Sequence, residues 1–97
     1  MRVGSCQNRD SVKAANNNSG LSVTLDTEGR NILEGYVTVS NTATIKVYGS
    51  IDNENWRLTD TTSTNNTKHL YYFNAFRFVK IEVPTTGIDI TIEITAQ

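Results

Sequence analysis

Apolar and polar residues alternate along most of this chain, and the phase changes only at short polar breaks. Leu21, Val23 and Leu25 interleave with Ser22 and Thr24, which predicts a first strand. Asp26 to Asn31 supplies a turn, with Gly29 able to take a positive φ. Leu33, Gly35, Val37 and Val39 share one face of the next run, and Glu34, Tyr36, Thr38 and Ser40 share the other. After Asn41-Thr42 the pattern resumes, with Ala43, Ile45, Val47 and Gly49 inward and Thr44, Lys46 and Tyr48 outward. So short a break between two alternating runs predicts a hairpin. Asp52-Asn53-Glu54-Asn55 predicts another turn, leading into Trp56 and Leu58.

The second half reads the same way. Thr59 to Lys68 has no apolar residue over ten positions and reads as a loop or edge excursion. His69 to Phe73 is an aromatic-rich strand that bends at Asn74-Ala75. Arg77, Val79, Ile81 and Val83 then alternate with Phe78, Lys80 and Glu82, until Pro84 closes the strand because it cannot donate to a ladder. The clearest run is the last: Ile88, Ile90, Ile92 and Ile94 alternate with Asp89, Thr91, Glu93 and Thr95. A period of two sustained this long is incompatible with a helical face.

Residues 1–20 differ from the rest. They are polar, lack a sustained period and end in the loop-like Asn16-Asn17-Asn18-Ser19-Gly20. The reading is a polar N-terminal arm over 1–20, a short β piece or turn at best that finds no pairing partner at home; it is either docked on a neighbouring subunit or particle, or a disordered tail. Residues 21–97 form the domain. The fold class is all-β: a single antiparallel β-sandwich or jelly roll of seven or eight strands. Its predicted core is Leu33, Val37, Val39, Ile45, Val47, Val79, Ile81 and the even-numbered isoleucines from Ile88 to Ile94.

Composition strengthens the strand reading. Thr (14), Val (8) and Ile (8) make up 30 of 97 residues, which favours pleated, half-buried surfaces. The formal net charge of −1, with both signs interspersed, leaves no electrostatic footprint for nucleic acid. No stretch is long and apolar enough for a spanning helix, and Met1 to Gly20 holds no apolar segment of the secretory type. The expectation is a protein made in a host cytoplasm, with no membrane partner. Cys6 is the single cysteine, so it is either a free thiol or an interchain bridge.

Candidate chemistry is sparse. The one histidine, His69, is far in sequence from Cys6 and reads as a partly exposed strand residue rather than a base. No G-x-S-x-G elbow or Gly-rich phosphate loop occurs, and the chain cannot supply a zinc cluster. Asp52 and Asn53 sit where a calcium loop would place oxygen ligands, but the full loop pattern fails and a plain turn wants the same residues. The expectations are no enzyme activity, no cofactor and no metal. The aromatics draw more interest: Tyr71, Tyr72, Phe73, Phe76 and Phe78 crowd into eight positions, with Trp56 before them. Half of the aromatics in any strand face away from the core. Three readings stand for them: Trp56, Phe76 and Phe78 filling the core with tyrosines at its rim, a subunit contact, or a carbohydrate surface. Tyr48, Trp56, Tyr71 and Tyr72 are the candidate contact residues.

Two stretches carry a resemblance. Val47-Tyr48-Gly49-Ser50-Ile51-Asp52-Asn53-Glu54-Asn55-Trp56 resembles the strand-and-hairpin motif G/S-x-D-G-x-x-W of discoidin-like (coagulation-factor C-type) jelly rolls. Phe76-Arg77-Phe78-Val79-Lys80-Ile81-Glu82-Val83 is similar to the R-Y-V-R-I strand of the same family, variants of which recur in small modules of phage and viral particles. The resemblance covers residues 33–95 at most. It implies a Greek-key jelly roll with a binding or structural role, and Trp56 covering an end of the core. The family's bridging cysteines and long ligand loops have no counterpart here, so it implies no ligand-binding residue. The functional expectation is a virion protein: a decoration or fibre-type subunit acting as a symmetric homo-oligomer, a trimer by preference, on a capsid or other particle lattice. The alternative is a carbohydrate-binding module that attaches to a glycan.

Overall fold

The computed structural model describes residues 8–97, in which the regular structure is entirely β. The strands are β1 (Asn8–Ala14), β2 (Leu21–Asp26), β3 (Ile32–Val39), β4 (Ala43–Ser50), β5 (Arg57–Thr64), β6 (Thr67–Phe73), β7 (Phe78–Val83) and β8 (Ile90–Ala96). They form two antiparallel sheets, ordered β1-β8-β3-β6 and β2-β7-β4-β5. That order is an eight-stranded jelly roll.

The two-residue period builds the core directly. Leu33, Val37, Val39, Ile90, Ile92 and Ile94 of the first sheet meet Val23, Leu25, Ile45, Val47, Val79, Ile81 and Val83 of the second, all buried. Ile88 is buried as well, in the turn just before β8. Every predicted core residue lies in this cluster. Close approach of the backbones fixes one glycine: a side chain at Gly35 would meet the Glu93 carbonyl at 2.7 Å.

Three expectations need correction. The break at Asn41-Thr42 is not a hairpin, because β3 and β4 lie in opposite sheets. The Val39 amide donates to the Asn66 carbonyl (2.8 Å) and the Ser40 amide to the Asp89 carbonyl (3.1 Å), so the chain arches across the core. Alternation marks a buried face but not whether the next strand lies beside it or opposite it. The hairpin within a sheet is instead β4–β5, turned by Asp52 to Asn55.

Of the two readings of Thr59 to Lys68, the loop fails and the edge excursion fits, since β5 and β6 are both edge strands. The stretch holds most of β5, a tight turn and the start of β6. Threonine suits an extended backbone, and the inner positions of β5, Asp60, Thr62 and Thr64, can stay polar because they lie at the margin of the core; its one apolar side chain, Leu58, is exposed. Finally, residues 8–14 do have a partner at home. They pair along their whole length with β8, Val12 opposite Ile92 and Ala14 opposite Ile90. The ladder supplies the hydrogen bonds that a polar segment cannot find alone. Asn17 then clasps the corner: it is buried, its side chain donates to the Thr85 carbonyl (3.0 Å) and accepts from the Ile88 amide (3.3 Å). The segment therefore joins the sandwich from residue 8 onward. Cys6 lies outside the described residues.

Candidate interaction surface

The four candidate aromatics go to three different places. Tyr71 stands on the outer face of the first sheet. Tyr72, one residue on, points inward to the rim of the core. Tyr48 and Trp56 share the outer face of the second sheet. Strand geometry dictates the first split, since neighbours on a strand point to opposite faces.

On the outer face of the first sheet, β6 is an edge strand paired only with β3. The register sets Tyr36 opposite His69 and Glu34 opposite Tyr71. Tyr36 and His69 stack with ring centroids 4.8 Å apart, and Tyr71 follows at 6.3 Å from His69 in a tilted arrangement. The imidazole Nε2 lies 2.7 Å from the Glu34 carboxylate, which also accepts from the Gln97 amide (3.1 Å). Tyr36 is 45% exposed, Tyr71 58% and Phe73, at the end of the same edge, 86%. This is an unusually aromatic surface for one edge of a small sheet. His69 is thus a member of a surface stack, as its strand position suggests.

Between the sheets, at the same flank, the Tyr72 hydroxyl donates to Asp60 Oδ2 at 2.5 Å. Burial pushes the Tyr72 phenol above its ordinary pKa, and the bond to the Asp60 carboxylate adds to the shift. A cleft of about 320 Å³ opens beside this pair, lined also by Val47, Gly49 and Phe76. Phe76 lies flat against Gly49, where an added Cβ would come within 2.2 Å of the ring. Only glycine at 49 admits Phe76 to the core.

Across the molecule, the Lys80 ammonium sits 4.9 Å from the Tyr48 ring centroid and 4.6 Å from that of Trp56. Trp56 therefore packs on the outside of the second sheet instead of covering an end of the core. Burial raises the Tyr48 pKa, helped by its hydrogen bond to Glu82 (3.2 Å). Phe78 is also outside, half-buried beneath the Arg77 guanidinium at 5.4 Å from its centroid. Of the three aromatics read as core fillers, Phe76 alone packs against the core.

The Asp52 carboxylate is taken up by its own turn. Oδ1 accepts from the Glu54 amide (2.9 Å), the Asn55 amide (2.8 Å) and the Ser50 hydroxyl (3.0 Å), while Oδ2 accepts from the Asn55 side chain (2.7 Å). These bonds, the Asn55 amide foremost, hold the Asp52 carboxyl well below the usual carboxylate range. Asn53 takes the positive φ (63°) that the turn needs. Among the described residues no three His, Cys, Asp or Glu side chains converge as metal ligands would.

Sequence reasoning singled out Tyr71 but missed its partners. Tyr36 and Glu34 join it through the pairing of strands thirty residues apart, which no local pattern reveals.

No family model and no curated protein matches the sequence. Solved structures do share the fold. The SPBc2 prophage-derived protein YomS superposes with a TM-score of 0.66 at 15% identity, over 91% of this chain and 93% of that one. A chain of the Bacillus endospore appendages, described as disulfide-linked pili, gives 0.54 at 12% identity, over 94% and 86%. The Yersinia pseudotuberculosis-derived mitogen gives 0.51 at 6% identity, over 93% and 84%. What these likenesses show is the β-sandwich itself, in small all-β proteins of phage and bacterial origin.

Proposed function

We propose that this chain is a non-enzymatic structural subunit of a virus or phage particle, a decoration or fibre-type component that works as a symmetric homo-oligomer. The observation that carries the reading is the aromatic surface along the open edge of β6, where Tyr36, His69, Tyr71 and Phe73 stand exposed. Interfaces concentrate such residues, and an unpaired strand edge offers backbone hydrogen bonds to a further strand. Fold kinship with a prophage-derived protein and a spore-appendage pilus chain supports it. The discoidin-like resemblance of residues 47–56 and 76–83 fits the same reading, a jelly roll with a binding or structural role. The location that follows is the virion.

A carbohydrate-binding role in attachment is the second reading. What favours it is an exposed ring, Tyr71, beside a hydrogen-bonding carboxylate, Glu34. Light scattering after size exclusion, combined with a glycan array, separates the two. A particle subunit gives a mass that is a multiple of 10.8 kDa and no glycan signal. A monomer at every concentration overturns the assembly reading, and glycan binding by that monomer selects the second.

A further inference from the structure

Four strand edges close the two sheets: β1 and β6 in one, β2 and β5 in the other. Three of them discourage a fourth-party strand. β1 carries Arg9, Asp10 and Lys13, β2 is flanked by β1, and β5 is broken by a bulge at Thr59, opposite Val47 and Tyr48 of β4. Bulges and edge charges are the usual means of blocking such pairing. β6 is seven residues long, keeps its register with β3 throughout and ends in the exposed Phe73.

We infer that β6 pairs antiparallel with β6 of a second copy about a two-fold axis at Leu70, joining two four-stranded sheets into one. The inference rests on the homo-oligomeric reading above and names its contact. Backbone phase supports the register. The Val39 amide bonds to the Asn66 carbonyl and the Asn74 amide to the Asn31 carbonyl, so even-numbered residues of this stretch direct their backbone groups toward β3. The odd-numbered residues Thr67, His69, Tyr71 and Phe73 therefore direct theirs to the free edge. Centring on Leu70 matches Thr67 with Phe73 and His69 with Tyr71 of the second copy, so every free group along the strand finds a partner. A shift by two residues in either direction leaves one end of the strand unpaired.

Side chains agree with that register. On the outer face it continues the Tyr36–His69 stack into Tyr71 of the second copy. On the inner face it sets Lys68 beside Tyr72 of the second copy, whose hydroxyl holds Asp60. Among the described residues Lys68 makes no ion pair within its own chain. The dimer supplies a carboxylate on each side for it, whereas centring on Lys68 would juxtapose the two ammonium groups.

Sedimentation equilibrium of the full chain and two variants tests the contact. Tyr71→Pro removes an amide that points to the free edge and leaves the bonds to β3 intact, so a monomer with unchanged circular dichroism is expected. Lys68→Glu guards against misfolding of the proline variant. It is expected to weaken the dimer by about ten-fold or more, with association recovered in the double variant Lys68→Glu, Asp60→Lys. An oligomer whose strength neither Tyr71→Pro nor Lys68→Glu changes overturns the β6 contact and leaves the assembly reading standing, with a heterologous ring as its alternative. Wild-type chain that stays monomeric removes both.

Discussion

The two flanks of this sandwich are built differently. On one, β1 and β2 run close together and close the sheets over apolar inner residues: Val12 and Leu21 both pack against the core to which β2 contributes the buried Val23 and Leu25. The Asn8 side chain stitches them, donating to the Asp26 carbonyl (2.8 Å) and to Glu28 (2.9 Å). On the other flank β5 and β6 stand apart, and their inner positions are Asp60, Thr62, Thr64, Lys68, Leu70 and Tyr72. Polar residues that face inward cannot contribute much burial, so this flank adds little to the core. They do keep the cleft wettable and leave the β6 edge free. The contrast separates work: one flank holds the fold together, and the other is available for contact.

Removing the closed flank is expected to have the largest effect. A chain beginning at Gly20 loses β1 and the Asn17 clasp, and exposes the edge of β8. The loss is on the order of 5 kcal/mol, comparable with the whole stability of a small domain. Urea unfolding measures it, and a midpoint equal to that of the full chain would show that β1 is dispensable.

Next comes a paired substitution. Ile92→Ala opens a cavity where a fully buried side chain meets Val12 and Val37, at a cost of about 2–5 kcal/mol. Thr62→Ala, on the inner face of β5, should change stability by less than about 0.5 kcal/mol. Similar losses at both positions in chemical denaturation would erase the distinction between the flanks.

Tyr72→Phe sharpens the open side. Deleting the bond to Asp60 should cost about 1 kcal/mol, and more than about 3 kcal/mol would make the cleft a part of the core.

The smallest effects are those of pH, and they have opposite signs on the two flanks. Asp26 bonds Arg77 through both carboxylate oxygens and accepts from the Glu28 amide, which together lower its pKa. A depressed carboxylate stabilises the fold above the ordinary carboxylate value and ceases to do so as pH falls through the folded value. Melting temperature should therefore fall below about pH 4, with a shallower fall in Asp26→Asn. Tyr72 is shifted upward, so its contribution is complete below about pH 10 and fades as pH rises toward the folded value. Its alkaline loss should vanish in Tyr72→Phe. Acid and alkaline limbs unaffected by these two changes would assign them elsewhere.

The sequence by itself determined the strands and their buried faces. Ile88 to Ile94 and Leu33 to Val39 could be assigned residue by residue, because a period of two is a local property and burial follows it. The Asp52 turn was legible for the same reason: its bonds reach no further than three residues. β1 was legible as a short β piece at best, because Arg9, Asp10 and Lys13 mask any alternation, and its partner in the same chain, about eighty residues away, was not legible at all. The arch after Val39 escaped because an apolar face packs equally well against a strand of either sheet. Tyr71 was visible as an aromatic, yet its stack with Tyr36 and His69 exists only once β3 lies beside β6. Alternation fixes which way each side chain points. Which strands become neighbours, and hence which side chains meet and which edge stays open, is decided by the packing of the whole sandwich, since hydrogen-bonded pairing between distant strands leaves no mark within either one.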